Sequence, residues 1–199
     1  MASPDLQASL RHHQAGNMDA AIAGYRAFLR EQPNHAEANR LLGLALFARG
    51  QLAPAREALE RAATLAPSNA ALLNDLGNAR RAMGDKAAAI DAFKAAITAE
   101  PAFAFAHFNL ADTLLEASEI QRASDAYDDI VRRGFAGVDG DFYVNRGLCR
   151  LQLGDAAGAM EAFRAALALE PGHSRAAAAL SDTMQKLGAH RDAVIFLTG

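Results

Sequence analysis

Histidines, one cysteine and a pair of acids are the side chains through which this sequence could do chemistry. His12 and His13 are adjacent, and adjacent side chains on a helix point about 100° apart, which disfavours joint chelation of one metal ion. His35, His107, His173 and His190 stand singly, a pattern that places them on loops or solvated helix faces. Asp139, Gly140 and Asp141 resemble the opening of a calcium loop but lack its third acid, its glycine spacing and its terminal glutamate. They read as a turn. Cys149 is the only cysteine, so neither an intramolecular disulfide nor a CxxC metal or redox motif exists. No phosphate-cradling GxGxxG or GxxxxGKS/T, no nucleophile-elbow GxSxG and no zinc-helix HExxH string occurs. The expectation is a non-enzyme without catalytic residues, cofactor or metal.

Composition narrows the alternatives. Charged residues make up 22% of the 199 and apolar ones 51%, the balance of a folded chain rather than a disordered one. Twenty Lys plus Arg face 23 Asp plus Glu for a formal charge of −3. No stretch gathers the basic residues into the stripe that phosphate neutralisation requires, so nucleic acid is not expected as a partner. The first 14 residues carry no apolar run of a signal peptide, and nowhere do 18 apolar residues follow one another. No membrane partner and a cytoplasmic location are the default expectations.

The elements that position these residues follow a fixed period. Pro33, Pro67 and Pro101 are spaced by 34 residues, and Pro171 lies two periods plus two residues further on. Gly16, Gly50, Gly84, Ser118, Gly154 and Gly188 share that spacing and that single two-residue excess. So do Ala21, Ala55, Ala89, Ala123, Ala159 and Ala193, and so do Tyr25, Leu59, Phe93, Tyr127, Phe163 and Leu197. The extra residues must fall between Tyr127 and Phe163, and the stretch 134–140 is the natural host, a lengthened loop. Segments such as 51–65 and 85–99 place apolar residues at i, i+3, i+4 and i+7, the stripe of an amphipathic helix. A second stripe, such as Leu41, Leu42, Leu44, Ala45 and Leu46, precedes each glycine column position. One unit is therefore two helices, with Gly ending the first and Pro marking the exit from the second. The alanine column marks a close helix crossing that a larger side chain would overpack.

These columns resemble the tetratricopeptide repeat family, whose 34-residue unit carries Leu-Gly, then Ala, then an aromatic, then Pro. Leu42-Gly43, Ala55, Leu59 and Pro67 fit one unit; Leu76-Gly77, Ala89, Phe93 and Pro101 fit the next. The resemblance implies an all-α, right-handed superhelical solenoid of about six antiparallel helix pairs in a single domain. Its units would span about 2–35, 36–69, 70–103, 104–139, 140–173 and 174–199, the last incomplete or uncapped. Ala8-Ser9, Leu110-Ala111 and Leu180-Ser181 keep a small residue where Gly is lost. Arg146-Gly147 puts a charge at an inward position, with Arg150 four residues on. Either the lengthened loop rotates this helix toward solvent or nearby acids pair with the two arginines; long stems that snorkel favour partial exposure. After Asp192 the chain ends on Ala193, Val194, Ile195, Phe196, Leu197, Thr198 and Gly199, an apolar second helix where stacked repeats usually finish polar. Either the native polypeptide continues or this end docks on a second copy, as a homodimer.

In this family the first helices of successive units line a groove. The resemblance implies partner contacts by Arg40, Phe47, Asn74, Asn78, Arg81, Phe105, Phe108, Asn109, Asp112, Leu115, Asn145 and Leu148. Amides and a guanidinium would fix a peptide main chain while apolar pockets read side chains, with Arg81, Phe105 and Phe108 as anchors. The carboxylate clamp of chaperone-tail binders is not expected. Asn78 and Asn109 match its amides, but Asn74, Asp141 and Asn145 stand where cations belong. The asparagine ladder of O-linked sugar transferases is met at Asn109 and Asn145 and broken by Leu41, Asp75 and Ala179. The leading expectation is a scaffold binding a protein or peptide. One alternative is the recognition arm of a larger bacterial glycosyltransferase or sulfotransferase whose catalytic domain lies beyond residue 199; another is a self-associating structural repeat.

Overall fold

The computed structural model describes residues 5–198, with side chains as far as residue 188. Among the described residues there are eleven helices and no strand: α1 (Leu6–Gln14), α2 (Met18–Glu31), α3 (Ala36–Ala48), α4 (Leu52–Leu65), α5 (Ala70–Ala82), α6 (Lys86–Ala99), α7 (Ala104–Glu116), α8 (Ile120–Arg133), α9 (Gly140–Gln152), α10 (Ala156–Leu169) and α11 (Ser174–Thr198). Each glycine-column turn is short, and at its centre Gly16, Gly50, Gly84 and Gly154 hold φ between 72 and 83°. Ser118, the one non-glycine in that column, is forced to φ 61°. Four-residue connections follow α2, α4, α6 and α10, whereas 134–139 is two residues longer, with Gly134 and Gly137 both at positive φ. The lengthened loop stands where the period placed it.

The columns form the core. Ala21, Ala55, Ala89, Ala123 and Ala159 are wholly buried, as are Tyr25, Phe93, Tyr127 and Phe163, with Leu59 nearly so. Burial, with Glu37 adding to it, pushes the Tyr25 phenol above its ordinary value. Gly43, Gly77 and Gly147 let these large side chains lie on the first helix: a Cβ at Gly77 would come within 2.4 Å of the Phe93 ring, and one at Gly147 within 2.4 Å of Phe163. The first unit carries Ser9 in that column and compensates on its second helix. Gly24 stands where later units have Ala58 and Ala92, and a Cβ there would meet the Ser9 Oγ at 2.1 Å.

Helix starts explain the histidines. His35 Nδ1 accepts the Ala38 N–H at 3.1 Å, opening α3, and His173 Nδ1 accepts the Ala176 N–H at 3.3 Å, opening α11. Asn69 and Asp139 do the same one and three units on from His35, for α5 and α9. His107 is buried, and its Nε2 donates to the Pro101 carbonyl at 3.0 Å. Asn39, two periods earlier, donates to the Pro33 carbonyl at 3.1 Å. His35 and His173 lie in loops, as read, whereas the reading of His107 as a loop or solvated residue is corrected, because it is buried within α7; each of the three satisfies a backbone group at the repeat junction that would otherwise be left unpaired. His190 lies outside the described side chains. Asp139 is the α9 cap, and Cys149 is fully buried.

The sixth unit departs from expectation. α11 runs without interruption through Gly188 to Thr198, so no second helix folds back. At the residue after the column glycine, Asp85 and Asp155 cap their helices by accepting a backbone N–H, Asn17, Gln51 and Glu119 start theirs without a side-chain cap bond, and the sixth repeat has Ala189. The expectation for the side chains of Asp192–Thr198 falls outside the described ones.

Contacts pass between sequential neighbours, as between α3 and α4 or α4 and α5, and between alternate first helices, α1 with α3, α3 with α5 and α9 with α11. They divide the chain into two compact units, Met1–Thr113 and Leu114–Gly199.

Candidate functional site

In the first unit the site is built on the first helices α3 and α5 and the opening turns of α7. Two bonds of the same register tie these helices together. Arg40 Nε donates to Asp75 Oδ2 at 2.6 Å, and Asn109 Nδ2 donates to Asn74 Oδ1 at 2.8 Å, each across 35 residues. The Arg40 side chain is 24% exposed and that of Asp75 15%. Burial raises the Asp75 carboxyl above its ordinary value, and Arg40 draws it back only in part. Burial would lower the Arg40 guanidinium, but Asp75 and then Glu37, at 3.3 Å, hold it above its usual value. Asn74 is buried. Arg40, Asn74 and Asn109 are thus engaged between units. Asp75, which in the sequence only interrupts an asparagine ladder, is a member of this one; the recurrence of complementary pairs at Arg40/Asp75 and Asn74/Asn109 was the signal for it.

The apolar positions separate in the same way. Phe47 is half-buried and packs on Leu59 and Leu76 as well as on the cluster of Ala45 and Leu46. Phe108, Asn78, Arg81 and Asp112 are half-buried. Phe105 is 69% exposed, its ring 5.8 Å from that of Phe103. Nothing in its own unit covers it.

In the second unit, Leu115 and Asn145 are half-buried, and Leu148 packs on the cluster of Val144, Phe163 and Ala166. The two unexplained arginines are paired. Asp128 on α8 accepts from Arg146 Nε at 2.7 Å and from Arg150 Nη2 at 3.0 Å, while Arg150 Nη1 reaches Asp155 at 3.3 Å. Arg80 and Glu60, at 3.2 Å, repeat the Arg150–Asp128 pair two units earlier in the same columns. Asp141 binds Arg175 and, at 3.3 Å, His173 Nε2, which carries the proton because Nδ1 is the cap acceptor.

Among the described residues no three metal-binding side chains converge, and no helix is long and apolar enough to cross a membrane. The arrangement can hold a chain by hydrogen bonds and apolar contact.

Antiparallel helix hairpins repeated at 34 residues, with small-residue crossings and large apolar knobs, define an all-α repeat protein. The tetratricopeptide repeat family model matches residues 6–70, 74–134 and 108–174, and the chain belongs to that family. Among solved structures it is similar to MamA, at 28% identity over 82% of this chain and 94% of that one, with a TM-score of 0.75. It shares the fold of YrrB, described as a TPR protein with an unusual peptide-binding site, at 18% identity over 86% and 87% of the two chains and a TM-score of 0.74. It also shares the fold of MamA from Desulfovibrio magneticus RS-1, at 19% identity over 84% and 94%, with a TM-score of 0.75. Comparison with curated proteins found no match.

Proposed function

We propose that the chain is a protein-interaction module that takes a peptide or partner segment along the first helices of its repeats, with Phe105 as the principal anchor in the first unit. The exposure of Phe105, at 69%, carries this reading. A phenyl ring so placed adds little to the fold and much to an interface once a partner desolvates it. Asn78 and Arg81 on α5 and Phe108 and Asp112 on α7 would add amide, guanidinium, phenyl and carboxylate contacts to a partner, beyond those that Arg81, Phe108 and Asp112 make within the chain. Arg40, Phe47, Asn74 and Asn109 hold the helices that present these groups. Leu115, Asn145 and Leu148 belong to the corresponding surface of the second unit.

Replacing Phe105 by Ala tests the reading. Partners captured by the wild-type chain from its source cell, then titrated individually, are expected to bind the variant at least tenfold more weakly, about 1.4 kcal/mol. Thermal unfolding should be unchanged, since an exposed ring contributes little to folding. Undiminished affinity for every captured partner would refute the site.

A further inference from the structure

α11 in the sixth repeat presents a seat for a second helix that no described side chain fills. In the second helices of earlier units the alanine and large apolar columns close over the glycine column: Gly43 faces Leu59 and the Ala55 carbonyl, Gly77 faces Phe93, and Gly147 faces Phe163. Gly43, Gly77 and Gly147 are buried for that reason, whereas Ser181, in the same column, is exposed. Three residues along the same face, Leu46 and Leu114 are 2% and 3% exposed, and Met184, their counterpart, is 53% exposed. α11 runs straight past this face.

The sequence that fits the seat is present in the chain. Residues 189–198 continue the columns, with Ala193 in the line of Ala55, Ala89 and Ala159 and Leu197 in that of Leu59, Phe93 and Phe163. As part of a continuous helix, these ten residues extend about 15 Å beyond Gly188, away from the face they match. We infer that a second copy of the chain fills the seat: two α11 helices lie antiparallel, and residues 189–198 of each cover Ser181 and Met184 of the other. A two-fold pairing satisfies both seats at once, because an isologous interface uses the same patch on each copy. It keeps the antiparallel sense of every hairpin in the chain, with the turn at Gly188 opened into helix. Ala189 also lacks the capping carboxylate that Asp85 and Asp155 supply at the same position, which favours that opening.

Sedimentation of the full chain over a wide concentration range should show a monomer–dimer equilibrium; a strict monomer overturns the inference whatever the variants do. Crosslinking then identifies the contact. In a Cys149→Ala background, matching the Ala45 and Ala79 of other units, singly substituted Ser181→Cys and Ala193→Cys chains are mixed and oxidised. A reducible heterodimer between the two is the expected product. Dimerisation without this crosslink refutes the antiparallel exchange. In the doubly substituted chain, a disulfide closing within one copy shows fold-back instead and also refutes it. Ala189→Asp, which supplies the cap acid found at Asp85 and Asp155, is expected to lower the dimer fraction at equal concentration. An unchanged fraction removes the role assigned to the missing cap.

Discussion

At the scale of single residues, the groove positions divide by what they already touch. Arg40 is a cation whose partner, Asp75, is more deeply buried than itself, at 15% side-chain exposure against 24%. Because burial raises Asp75, this carboxyl binds its proton more tightly folded than unfolded. Its own contribution to stability therefore falls as pH rises from the ordinary carboxylate range through the raised value, the reverse of a usual ion-paired acid. Removing the cation by Arg40→Ala strands the anion and raises it further. The variant should lose about 1–3 kcal/mol at neutral pH. The gap to wild type should narrow as pH falls and Asp75 takes up a proton. Urea unfolding at neutral and mildly acidic pH measures this, and a gap independent of pH would show that Arg40 acts through its packed stem.

At the scale of elements, each hairpin rests on a turn residue with positive φ and a small–large crossing behind it. Five turns share this geometry, and one makes it with Ser118 at φ 61°. An L-residue pays for the left-handed conformation by crowding of its Cβ, a strain of about 1–2 kcal/mol, from which the greater freedom of unfolded Gly must be subtracted. Ser118→Gly is accordingly expected to stabilise the chain by about 0.5–1 kcal/mol, read as a higher urea midpoint with unchanged slope. The arginine pairs are a second feature at this scale. Arg80 with Glu60 and Arg150 with Asp128 join the second helix of one repeat to the first helix of the next, so a charge at a nominally inward position is neutralised where the repeats meet.

At the scale of the whole molecule, stability is distributed between neighbours. Within each compact unit, helices contact those adjacent in the chain and an alternate first helix, as α3 contacts α4 and α5 and α9 contacts α10 and α11, so the loss of a knob should be felt locally. Phe93→Leu leaves space beside Gly77. Amide hydrogen exchange is expected to quicken in α5 and α6 and their immediate neighbours, and to stay unchanged in α9 and α10. Equal loss of protection everywhere would mean that the repeats unfold as one cooperative block.

The repeat period, the first five helix pairs, the lengthened loop at 134–139 and the buried columns were legible in the residues, because each depends on local backbone chemistry and on packing that recurs from repeat to repeat. In the first five repeats Gly or Ser, Ala and a large apolar residue at fixed spacing form one kind of hairpin, while the sixth carries the same columns on a continuous helix. Whether a polar side chain on a first helix faces a partner or a neighbouring repeat depends instead on distances across 35 residues. Arg40, Asn74 and Asn109 look the same in sequence as the other polar groove positions, and only tertiary packing joins Arg40 to Asp75 and Asn109 to Asn74. The junction histidines were decided in the same way: backbone groups left unpaired where two helices meet draw an imidazole inward, and that demand exists only once the helices are stacked.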